Sequence, residues 1–163
     1  MRDMIESDVE GDFTSHQLTY FDGTSREVLV TGEEVPFPEG KLIVSRTNEK
    51  GIITDCNRAF VEMSGFTEDE LIGQPHHILR HPDMPSAAFK DVWDTAATGK
   101  KWHGYVKNLR KDGKYYWVYA TVISNVRDGK VVGFASVRRK PSRTKVNECI
   151  ALYKEMLAEE KQS

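Results

Sequence analysis

Residues 74–85 read QPHHILRHPDMP, which sets three histidines, an arginine and an aspartate between Pro75 and Pro85. Side chains of these types can ligate a metal, move a proton, or donate hydrogen bonds to an anionic or carbonyl-bearing ligand. His77 and His81 lie four apart with Asp83 close by, the makings of a His/His/Asp metal site. The flanking prolines work against the continuous helix that would make positions i and i+4 converge, and no HExxH motif or nearby cysteine adds a ligand. Nucleophilic hydrolysis has less support, because no GxSxG turn occurs and paired carboxylates fall on helix faces of solvated type, as in TEDE. General acid–base work by His76 or His81 stays open, since an unperturbed histidine titrates near neutrality. So does haem, held through His76, His77, His81 or His103. The remaining chemistry is a ligand pocket. Arg80 and His81 would offer donors to a phosphate or a carbonyl-rich ring, and Trp93 and Trp102 would wall a flat aromatic ligand.

These residues need elements to hold them. KLIVSRT and GIITDCN are β-branched runs joined by NEKG, a hairpin pattern. NRAFVEMSG and TEDELIG read as short helices capped by Asn57 and Thr67, with Glu70 completing a capping box. After the histidine-rich loop, SAAFKDVWDTAATG carries Ala88, Phe89, Val92, Trp93 and Ala96 at helical spacing and stops at Gly99. KWHGYVKNLR, KYYWVYATVISNV and KVVGFASVRR follow as strands, joined through KDGK and RDGK turns. The order predicts an α+β fold: a five-stranded antiparallel sheet with a helical insert between its second and third strands. Residues 1–38 read as an acidic arm or cap with one β-like run, REVLV; residues 39–140 form the main domain; residues 141–163 form a terminal helix. Val146, Cys149, Ile150, Tyr153, Met156 and Leu157 make a narrow stripe there, suited to packing on the domain, to dimerisation or to signal transmission. Outward-facing positions on the sheet, with Tyr116, Val118 and Val131 as candidates, would form an output surface.

A formal charge of −2 lacks the basic excess of a general nucleic-acid binder. VRRKPSRTK does concentrate five bases without an acid, as a solvated face or a docking patch. Cys56 and Cys149 form no disulfide framework or CxxC motif, which suits a reducing, cytoplasmic setting. No run approaches the roughly 18 apolar residues of a membrane span, so no direct membrane insertion is expected.

The stretch VSRTNEKGIITDCNRAFVEMSGFTEDELIGQPHHILRHPDMPSAAFKDVWDTAATGKKWHGYVKNLRKDGKYYWVYA resembles the PAS domain of bacterial aerotaxis receptors. The likeness covers about residues 32–140, and its specific part is GQPH…RHPDMP…AF…W…WxGxVKNxRK[DN]G. The resemblance implies non-covalently bound FAD that reports redox state, with Arg80, His81 and Asp83 of RHPD, and His76 of QPH, at the flavin site. An Arg80–Asp83 ion pair that merely shapes the loop is the plainer alternative. Similarity to the flavin PAS domain of a nitrogen-fixation regulator adds Ser45, Trp93 and Asn108. An amide at Asn108 would read flavin N5, because it can donate or accept by turning over. His77 has no counterpart in the family, His103 stands where the receptors carry a serine, and both are expected at the surface.

The resulting expectation is an FAD-binding redox, oxygen or energy sensor for signal transduction, not an enzyme. Its partners would be a second copy, met through the PAS surface or terminal helices, and a downstream signalling domain or protein. A haem gas sensor and a cofactor-free dimerisation module are the alternatives, with a flavoenzyme as the rival of another class. A light-driven cysteine adduct fits poorly, since Cys56 falls on a strand and Cys149 in the tail.

Overall fold

The computed structural model describes residues 1–162. A hairpin of β1 (Thr14–Thr19) and β2 (Ser25–Val30) precedes the main sheet. The sheet comprises β3 (Ile43–Asn48), β4 (Ile53–Cys56), β5 (Trp102–Leu109), β6 (Tyr115–Arg127) and β7 (Lys130–Arg139), antiparallel in the order β4-β3-β7-β6-β5. Between β4 and β5 lie α1 (Arg58–Ser64), α2 (Glu68–Leu71), a 3-10 turn over His76–Leu79 and α3 (Ser86–Ala97). Helix α4 (Arg143–Gln162) ends the chain. The α+β class and the helical insert are as the sequence predicts.

Local chemistry explains most element ends. The Asn57 side chain accepts from Phe60 N and Val44 N and donates to Leu42 O, so one amide caps α1 and pins it to β3. Thr67 and Glu70 form the predicted capping box. Asp128 and Gly129 both take positive φ between β6 and β7, as a two-residue hairpin turn requires.

The inner sheet face carries Ile43 of β3, Tyr116, Val118, Ala120 and Val122 of β6, and Phe134 of β7, packed against Phe60, Met63, Leu71 and Leu79. This corrects the expected output surface. Tyr116 and Val118 are fully buried on the inner face, and Val131 packs against the same core. An evenly apolar strand does not say which parity meets the helices; the insert's packing decides it.

Both flanking segments pack on the domain. The region before the domain is not a bare arm, because β1 pairs with β2 in full register and Met4, Val28 and Leu29 bury against Leu109. Its first strand, TSHQLT, is exposed throughout except for half-buried Leu18, so it lacks the alternation that marks a strand. Helix α4 lies over the outer face of β5 and β6. Tyr153 stacks on Trp117 and donates its hydroxyl to Tyr105 O at 2.7 Å, and Val146 is fully buried. No helix among the described residues is long and apolar enough to cross a membrane.

Candidate functional site

The histidine-rich loop bridges the two edges of the sheet. At one end Ile53 N donates to Gln74 O at 2.8 Å and His76 N to Gly51 O at 2.9 Å, tying it to β4. At the other, Arg80 forms a backbone bridge with Asn108 of β5. The loop therefore closes the open side of a curved sheet, and α3 lies over the cavity so formed. Phe89, Val92 and Trp93 of α3 face Ser45, Trp102, Asn108 and Phe134 across it. Ala96 of α3 is fully buried, and Phe89, Val92 and Trp93 are half-buried along the cavity.

Trp102 and Gly104 depend on each other. A Cβ at residue 104 would come within 2.4 Å of the Trp102 ring, so only glycine lets the indole lie along its own strand. Asp91 of α3 accepts from Trp102 Nε1 at 2.8 Å and fixes the ring. Trp93 meets Phe134 edge-on at 5.3 Å, and its own Nε1 is buried without an acceptor.

One wall is polar. Arg138 Nη2 lies 2.6 Å from His76 Nε2 and donates to Ser45 Oγ at 2.9 Å. Burial, with the Arg138 charge beside it, drives the His76 pKa down to about 3, so its ring is neutral and Nε2 accepts from the arginine. Burial likewise lowers Arg138 to about 10. Arg138 is 2% exposed, Nη1 has no acceptor, and no carboxylate pairs with it among the described residues. A buried cation without a counter-ion is costly and favours a negative or carbonyl-rich group nearby. Asn108, 3% exposed, faces the cavity opposite Tyr116. Burial pushes the Tyr116 phenol up, against the pull of Arg138 and the Asn108 amide.

The predicted site residues divide into groups. Ser45, His76, Trp93 and Asn108 line the inner cavity. Arg80 lines an adjoining mouth, donating to Ser86 Oγ at 3.0 Å and Met84 O at 3.4 Å, with its guanidinium over the Phe89 ring. His81 and Asp83 point elsewhere. The His81 ring is buried against Tyr115, and its Nδ1 accepts from Asp83 N at 3.0 Å. Burial, then Lys107, takes the His81 pKa down to about 3. Asp83 pairs with Lys107 at 2.7 Å in a groove beneath α4, so the Arg80–Asp83 pair does not form.

His77, expected at the surface, is 4% exposed and stacks on Tyr20 with ring centroids 4.1 Å apart. The hairpin that covers it lies outside the region of family likeness, which is why the expectation failed. Burial lowers its pKa to about 4. His103 is exposed, as expected. Arg138 is the site residue that the sequence hides, because it falls within the basic run VRRKPSRTK. Alternation through Phe134, Ser136 and Arg138 was the available signal.

The residues suit a flavin in kind. The slot is apolar around the tryptophans, and its polar wall carries neutral and cationic donors with no acid among the described residues. Its present volume is about 50 Å³, room for water-sized groups. The mouth beside it holds about 430 Å³.

A family model described as the PAS fold matches residues 53–138. The chain is 43% identical to the aerotaxis receptor of Escherichia coli strain K12 over 134 residues, 82% of this chain and 26% of the receptor. It is 34% identical to a biofilm dispersion protein of Pseudomonas aeruginosa over 92 residues, 53% of this chain and 22% of that protein. The chain thus spans about a quarter of the length of these relatives. Among solved structures, the dark state of the blue-light photoreceptor Aureochrome1 LOV superposes with a TM-score of 0.58 at 20% identity, covering 73% of this chain and 84% of that one. A Rhodobacter sphaeroides LOV protein gives a TM-score of 0.56 at 17% identity, covering 69% and 66%. These two likenesses establish the fold.

Proposed function

We propose that this chain, which belongs to the PAS fold family, holds FAD between α3 and the sheet and converts its redox state into a conformational signal, as a sensor for aerotaxis or related signalling. The observation that carries this reading is the polar wall: Arg138 buried without a carboxylate, linked through Ser45 and His76 to an otherwise apolar slot. Such a wall suits a flat ring with one carbonyl-rich edge. The 43% identity to an aerotaxis receptor supports the same reading.

When bound, flavin supplies reversible two-electron chemistry in which reduction adds a proton at N5. The residues of the chain do the remaining work. Trp93, Trp102 and Phe134 exclude water from the slot. Ser45 and neutral His76 hold the Arg138 charge in place. The Asn108 amide can offer either its oxygen or its nitrogen to the ring edge. Its backbone pairs with Arg80, so a turn of that amide has a short mechanical route to the loop and the mouth. Haem fits less well. His76 is the one histidine lining the cavity among the described residues, and its Nε2 is already engaged by Arg138.

An absorbance spectrum of the purified chain, before and after adding FAD, tests the proposal. Two flavin bands with stoichiometric uptake are expected. A strong Soret band, or no uptake of FAD, would overturn it.

A further inference from the structure

The last turn of α4 reaches back to the first turn of α3. Glu160 accepts from Ala87 N at 2.9 Å and from Ser86 N at 3.2 Å. Pro85, which precedes α3, supplies no side-chain cap, so a carboxylate from the far end of the chain does that work. Within its own helix Glu160 is badly placed, because a negative charge near a C-terminus opposes the helix dipole. At α3 the same charge is well placed, against the amides of the first turn.

The same corner contains Arg80. That side chain is 8% exposed, it donates to two neutral oxygens, and its Nε is buried with no acceptor. Lys90 adds a second cation to the mouth, and Asp94, the one acid lining it among the described residues, lies 3.3 Å from Lys90. The mouth and the inner slot share Phe89 and Trp93. A ligand with its ring in the slot would therefore lead its tail past these side chains to Arg80 and the α3 amides.

We propose that this corner is a diphosphate site and that Glu160 occupies it as an internal substitute, so that a dinucleotide's phosphates displace Glu160 and free the end of α4. Phosphate carries more charge than one carboxylate and can meet the helix amides and the guanidinium together. Binding would then loosen the last turns of α4, while Tyr153 and Trp117 keep its middle on the sheet. The link to cofactor loading rests on the flavin reading; the corner itself can be tested without it.

The test uses hydrogen exchange in the last two turns of α4 of the full chain, with three probes: FAD, riboflavin and inorganic pyrophosphate. FAD and pyrophosphate should raise exchange there at least fivefold, and riboflavin should not. Glu160→Ala, a change that suits a helix, should raise exchange without any ligand. It should tighten FAD by about threefold to tenfold, from the size of a helix-terminus charge interaction, and leave riboflavin within twofold. Unchanged α4 exchange on binding FAD or pyrophosphate would overturn the proposal, as would equal effects of Glu160→Ala on FAD and riboflavin. If pyrophosphate loosens α4 but no flavin binds, the flavin reading falls and the competition stands. If FAD binds and α4 stays protected, the reverse holds.

Discussion

At the scale of single residues, burial without a partner is what distinguishes the site. Arg138 sits beneath Ser45 and His76 with one nitrogen unsatisfied. Arg138→Met removes a buried cation, which is favourable, and strands two hydrogen-bonding neighbours, which is not. These effects are each about 1–3 kcal/mol and opposed. The melting temperature of the ligand-free variant should therefore move little, while FAD affinity falls at least tenfold by titration. Asn108→Leu separates holding from reading. It should either lose flavin, or keep it and lose the difference in proteolytic pattern between oxidised and reduced protein. Wild-type flavin content with a wild-type redox response would rule out Asn108 as the reader.

At the scale of elements, the site depends on how β5 and α3 approach each other. Gly104→Ala sets a methyl group into the Trp102 ring. The indole must swing out and lose its bond to Asp91, at a cost of about 1–3 kcal/mol. A lower denaturation midpoint with altered tryptophan fluorescence is the expected result; an unchanged midpoint would show that the ring can yield freely. The β1–β2 hairpin buries His77 under Tyr20 and ties Arg26 to Ile78 O at 3.0 Å. Deleting it should expose the loop's outer side and weaken the domain, read as a lower midpoint and faster exchange at residues 76–80.

At the scale of the whole molecule, the three loop histidines share one consequence. Burial holds His76, His77 and His81 at about 3, 4 and 3, well below the unfolded value near 6.5. Each is neutral when folded, so the unfolded chain binds more protons as pH falls below about 6.5. Stability is then full above that pH and declines on acidification. The slope should approach about 4 kcal/mol per pH unit near pH 5, where all three contribute. Urea unfolding between pH 7 and 4.5 checks this; a flat profile would mean that the rings are not buried in solution.

Much of this architecture was legible in the sequence. The Asn57 and Thr67 caps, the Asp-Gly turn at 128–129 and the period of α3 are set within a few residues. They reflect local hydrogen bonds and steric limits on φ, which act before any distant contact forms. Ser45, His76, Trp93 and Asn108 could be named because a family pattern carries their spacing, and the fold brings these four to one cavity. Other features needed the tertiary structure. The inward parity of Tyr116 and Val118, the burial of His77 and Arg138, and the reach of Glu160 to α3 all depend on which surface arrives opposite. A strand with apolar residues on both faces, or a charged side chain in a basic run, has no local reason to prefer one side. Packing supplies that reason, because desolvation is decided by neighbours far away in sequence.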